Sequence, residues 1–137
     1  MGSSAVTTVN WVGQRNPLHA TSSGKVFLAH MPADELDGHL AGPLLRYTPN
    51  TVTDPDDLRR QLGVGRTDGY GFSVEELEVG LNAVAAPIRS FEGTVVAALS
   101  ASGPAYRLTP DNLTRVAGQT ASAAAQISAR LGYGRIA

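Results

Sequence analysis

Residues 82–102 read NAVAAPIRSFEGTVVAALSAS, and the reading of this stretch decides the fold. Two runs rich in valine, isoleucine and alanine, 82–89 and 94–102, flank Ser90-Phe91-Glu92-Gly93. A short polar link ending in glycine between two such runs predicts a hairpin of antiparallel strands. Just upstream, Gly69-Tyr70-Gly71 opens a third strand over 70–74. Downstream, Thr109-Pro110-Asp111 caps a helix whose stripe Leu113, Val116, Ala117, Thr120, Ala124, Ile127 and Leu131 keeps helical spacing until Gly132. Toward the N-terminus, Asp54-Pro55-Asp56-Asp57 starts a helix expected to reach Asp68. Pro32, at a first helical position before Asp34 and Glu35, starts another that Gly42-Pro43 ends. Thr21, Ser22 or Ser23 caps a helix over 22–30 with Val26, Phe27 and Ala29 on its buried face. Residues 5–14 mix Val, Thr and Trp and read as one more strand. The order β, α, α, α, three β, α predicts an α+β domain, a mainly antiparallel sheet with helices packed against it.

The chain has 137 residues, of which 42% are hydrophobic, enough for one domain with a real core. No run of about 18 apolar residues occurs, so no membrane span is expected. Met1–Ser4 (MGSS) lacks the charged and apolar regions of a secretory leader and matches an expression scar, leaving 5–137 as the domain. Cysteine is absent, which excludes disulfides, thiolate nucleophiles and cysteine zinc sites and suits the cytoplasm. Eleven basic against twelve acidic residues give a net charge of −1, which does not suit a self-sufficient DNA-binding module.

Several residues invite a chemical reading. Ser22-Ser23-Gly24-Lys25 contains Ser-x-x-Lys, but Lys25 is the sole lysine, so the Lys-Thr-Gly element of penicillin-interacting enzymes is impossible. The plain reading is a capping serine and a surface lysine. A Walker loop is excluded, because His19 stands where its first glycine belongs and Val26 follows the lysine. His19, His30 and His39 have no i, i+3 or i+4 partner, so no helical metal site is encoded; His19 reads as fixing its loop by a hydrogen bond. Glu75, Glu76 and Glu78 read as a solvated turn. Alternation puts Ser100 and Ser102 on one face of the last strand beside small alanines. Two hydroxyls on a sheet floor, opposite the N-terminus of the helix at Ser22, would suit an anion.

The motifs themselves resemble those of IclR-type transcriptional regulators. The matching segments are Pro17–Lys25 (PLHATSSGK), Arg46–Pro55 (RYTPNTVTDP), Asp68-Gly69-Tyr70, Glu75-Glu76 with Val79-Gly80-Leu81, Ala85-Ala86-Pro87-Ile88, and Ala97–Pro104 (AALSASGP) followed by Arg107-Leu108-Thr109. The resemblance implies a GAF-like effector-binding domain that is not an enzyme and needs no metal or cofactor. It implies a homodimer or homotetramer that meets operator DNA only through an N-terminal winged helix-turn-helix, which these residues lack along with the first strands of the domain. The family's effector contacts fall on the backbone of Ser22 and Ser23 and the side chains of Ser100 and Ser102. Ser73 replaces a frequent acid, Ala83 a cysteine of some members, and Leu81 adds an apolar wall. Losing the acid at Ser73 favours an anion, so the expected effector is a small organic acid, with room at Ala83 for more than two or three carbons. The rival reading is a serine hydrolase using Ser22 or Ser100 with His19.

Overall fold

The computed structural model describes residues 17–134. The strand expected within 5–14 and the segment Met1–Ser4 lie outside the described residues. The hairpin forms as read, from β2 (Leu81–Arg89) and β3 (Val95–Pro104), with β1 (Gly71–Val74) antiparallel on the other side of β2. Sheet order is β1-β2-β3, and the outer edge of β3 is unpaired among the described residues. Ser90 N–H donates to Thr94 O at 2.9 Å and Gly93 N–H to Ser90 O at 2.9 Å, with Gly93 at φ 87°. That left-handed backbone is why the link ends in glycine.

The helices are α1 (Ser22–Ala29), α2 (Ala33–Ala41), α3 (Pro55–Asp68) and α4 (Pro110–Arg130). Thr21 caps α1, its Oγ1 accepting from Gly24 N–H at 3.1 Å. Asp54 caps α3 with Pro55 in the first turn, and Gly69 ends it at φ 87°. Pro32 is the cap of α2, not its first helical residue. Its ψ of 148° is extended, while its carbonyl already accepts from Leu36 N–H at 2.9 Å.

Strand alternation divides the sheet into two faces. One carries Val84, Ala86 and Ile88, which pack with Leu113, Ala117 and Ala124 of α4. The other carries Gly71, Ser73, Ala83 and Ala85 and lies against α1: a Cβ at Gly71 would meet Ser22 O at 3.4 Å and Lys25 Cβ at 3.6 Å. Behind α1, Leu28, Leu36, Leu40, Leu58 and Leu62 knit the first three helices into one apolar layer. The fold is therefore helices, sheet, helix, the α+β architecture expected.

The α4 stripe departs from expectation at its end. Ile127 and Leu131 are exposed, and Ser128 is buried in their place. The β2–β3 register slips between Ile88 and Arg89, and Ser128 Oγ accepts the Arg89 N–H at 2.9 Å while donating to Ala124 O at 3.0 Å. A broken ladder leaves a backbone donor that needs a polar partner, so a hydroxyl is buried where the periodicity alone would place isoleucine.

Candidate functional site

A cavity of about 290 Å³ lies between the start of α1 and the sheet. Six of the seven residues expected at the site line it: Ser22, Ser23, Ser73, Leu81, Ala83 and Ser100. Three causes bring them together. The Thr21 cap turns the chain so that α1 begins at Ser22 over the sheet. Register pairs Ser73 with Ala83 across β1 and β2. Small residues on this face leave a hollow. Ser100 and Ser102 are both exposed, and Ser102, level with Ala83 across β2 and β3, stands outside the lining.

No charged side chain is among the described lining residues. At the helix end, Thr21 Oγ1 takes the Gly24 N–H and Thr21 O takes the Lys25 N–H at 3.0 Å. The Ser22 and Ser23 N–H groups find no acceptor among the described residues. These two donors, unpaired among the described residues, add to the positive end of the helix dipole at the mouth of the cavity. Ser73 is buried, and its Oγ donates to Ala20 O at 2.8 Å. It therefore holds the PLHAT segment down on β1 and presents only lone pairs to the cavity.

Leu18, Ala20, Thr21, Gly24, Phe27 and Leu77 complete the wall, and none of them is among the residues expected at the site. Phe27 carried a signal: it follows Ser23 by four residues on α1 and so shares its face. Leu77 carried none, because it sits in the irregular link between β1 and β2.

Two sequence readings are overturned. Lys25 is not a surface lysine but is 4% exposed, and Glu76 is not in a solvated turn but is 5% exposed. Lys25 Nζ donates to Glu76 Oε1 at 2.7 Å and Oε2 at 2.8 Å, and to Gln61 Oε1 at 2.8 Å. Burial pushes the Lys25 amine below its ordinary value, and the Glu76 carboxylate partly holds it up. Glu76 is aimed inward by its neighbour Glu75, whose φ of 52° is left-handed. That conformation is costly for a residue with a Cβ and needs fixing. Thr48 Oγ1 donates to Glu75 O at 2.6 Å, Thr51 Oγ1 donates to Glu76 O at 2.6 Å, and Gly80 N–H donates to Glu75 Oε1 at 2.8 Å. The RYTPNT segment, expected as an extended loop, is thus the clamp on this turn.

His19 fixes a loop as expected, though not a neighbouring one: its Nε2 pairs with Leu45 O at 2.8 Å. Among the described residues no hydrogen bond joins it to Ser22 or Ser100. Of the other histidines, His30 meets a guanidinium, with Arg89 Nη2 3.5 Å from Nδ1. Burial, then Arg89 and Arg66, push its imidazole below the ordinary value. A base that binds its proton less well when folded contributes full stability above its unfolded value of about 6.5 and loses it as pH falls from there toward the folded value. Urea midpoints at about pH 7.5 and about pH 5.5 are expected to differ more in the parent chain than in His30→Gln. Equal differences would remove His30 as the source of the slope.

A family described as bacterial transcriptional regulator IclR C-terminal matches residues 1–129. The HTH-type transcriptional repressor AllR of Klebsiella pneumoniae is 43% identical over 122 residues, 88% of this chain and 45% of AllR. The crystal structure of Thermotoga maritima IclR superposes with a TM-score of 0.85 at 36% identity, covering 96% of this chain and 54% of that one. The inducer binding domain of the PobR transcription factor from Acinetobacter, solved as a double mutant with 3-hydroxybenzoic acid, superposes with a TM-score of 0.78 at 32% identity, covering 85% of this chain and 67% of that one. Fold and likeness define an α+β domain of a bacterial transcriptional regulator. The chain belongs to the IclR family and is its C-terminal domain. It spans about half the length of curated relatives such as AllR, at 45%. Among the described residues no helix is long and apolar enough to cross a membrane.

Proposed function

We propose that this chain is the effector-sensing part of a regulator and that its effector is a small organic acid held between α1 and the sheet. The observation that carries the reading is the pair of Ser22 and Ser23 N–H groups, unpaired among the described residues, over a cavity with hydroxyls in its walls and no carboxylate among its described lining. A carboxylate there meets backbone donors and a favourable dipole with no like charge to repel it. PobR, whose inducer binding domain was solved with a hydroxybenzoic acid, lends support from a relative of the same fold. The effector would act by binding one of two domain conformations better than the other, changing operator affinity of an N-terminal DNA-binding part in a dimer or tetramer. The shift cannot exceed the difference in binding free energy between those conformations. We read no catalytic role here: the matched relatives are regulators, and His19 is committed to Leu45 O rather than to a serine.

Calorimetric titration with a panel of small carboxylic acids, amines and neutral sugars tests the proposal. Acids are expected to bind tighter than the other classes, and the reverse order would overturn it. Ser100→Ala should weaken acid binding by about 0.5–1.5 kcal/mol, the contribution of one hydrogen bond. Ser102→Ala should cost less, because Ser102 stands outside the lining.

A further inference from the structure

A second, larger cavity, about 770 Å³, opens on the other side of α1. The helix is a shared wall: Ser22 and Ser23 face the first cavity, and Lys25, Val26 and Ala29 face this one. Such a volume lies within the roughly 300–1,000 Å³ of small-molecule pockets. Its walls are mostly apolar, from Val26, Leu62, Tyr70, Phe72 and Pro87. Its floor is the buried Lys25–Glu76 pair, closed over by Gln61. The three groups are not equally satisfied. Lys25 spends its N–H donors on Glu76 and Gln61, and Glu76 Oε2 also lies 3.3 Å from Val74 N. Gln61 is exposed, and the bond from Lys25 fixes its Oε1 as the acceptor, so its amide N–H₂ has no acceptor among the described residues and is open to water, which a ligand oxygen would displace. The charged lining residues are Lys25 and Arg60 against Asp57, Asp68 and Glu76, and Arg60 is paired to Asp57. The surplus is negative.

We propose that this cavity is a second ligand site, for a neutral, ring-containing molecule with one oxygen acceptor. The ring body covers the apolar walls, and the oxygen, a phenol or a ketone, takes the Gln61 N–H₂. The negative surplus selects against anions, the class proposed for the first cavity.

The test is a titration of the isotope-labelled chain with 2-naphthol and, separately, with 2-naphthoate, followed by amide NMR shifts. Saturable 2-naphthol shifts at Ala29, Gly65 and Phe72 are expected, with 2-naphthoate weaker by about fivefold or more from charge repulsion. Val64 is 60% exposed at the cavity's rim. Val64→Trp on the surface of α3 should fill the cavity and weaken 2-naphthol by about tenfold or more, leaving the Ser23, Phe27 and Ser100 amides and any acid binding there unchanged. Shifts confined to those three amides, absence of saturable binding, or shifts that follow protein concentration instead of probe would each overturn the second site. The last would assign the groove to another copy of the chain. Failure of the acid panel at the first cavity leaves this result readable on its own, because the reporting amides differ.

Discussion

Glu76→Leu is expected to lower the unfolding free energy by about 3–5 kcal/mol, the cost of stranding one member of a buried ion pair. Lys25 would keep only Gln61 as a partner, at 4% exposure. Its amine is already pushed down by burial, and Glu76 is what opposes that push. The double variant Lys25→Met with Glu76→Leu should recover most of the loss, since two apolar side chains remove both desolvation costs. Urea denaturation of the single and double variants measures the difference. A single-variant loss below about 1 kcal/mol would mean that water reaches the pair and the pair does not anchor α1. On that expectation the pair adds little net stability over two apolar side chains. It ties the helix that walls both cavities to the β1–β2 turn, 51 residues away in sequence.

Gly24→Ala is expected to be the most damaging small substitution near the first cavity, at about 3 kcal/mol, the upper range for overpacking. A Cβ there would stand 2.3 Å from Leu18 O, 2.4 Å from Leu18 Cα and 2.5 Å from Thr21 Oγ1. Two of those atoms are backbone and cannot rotate away. The third is the cap that holds the Gly24 N–H. Relief would move the PLHAT segment off α1 and open the wall formed by Leu18 and Thr21, so ligand binding should fall with stability. Thermal unfolding together with calorimetry reads both. Ala at this position with an unchanged melting temperature would show that the segment approaches α1 less closely than described.

Much of this molecule is legible residue by residue. Thr21, Asp54-Pro55 and Gly69 mark helix ends because caps and left-handed stops depend on a few neighbouring backbone groups. Helical spacing puts Phe27 on the buried face of α1, where it lines the cavity, since that spacing names the inward face but not what the face meets. Thr48 and Thr51 looked like loop polarity; their hydroxyls reach carbonyls 27 and 25 residues away. Ser128 replaced Ile127 inside because of a register slip in a distant hairpin.

By itself the sequence determined the element order, the antiparallel hairpin and the grouping of serines on one strand face, all consequences of short-range geometry: φ and ψ preferences, period 2 and period 3.6. The tertiary structure alone decided that Lys25 and Glu76 are buried together, that Ser100 lines the hollow while Ser102 does not, and that one helix separates two cavities. The dielectric and the neighbours around a charged or hydroxyl group are set by chain segments that no local window contains, so burial of a polar side chain is settled only when the layers close.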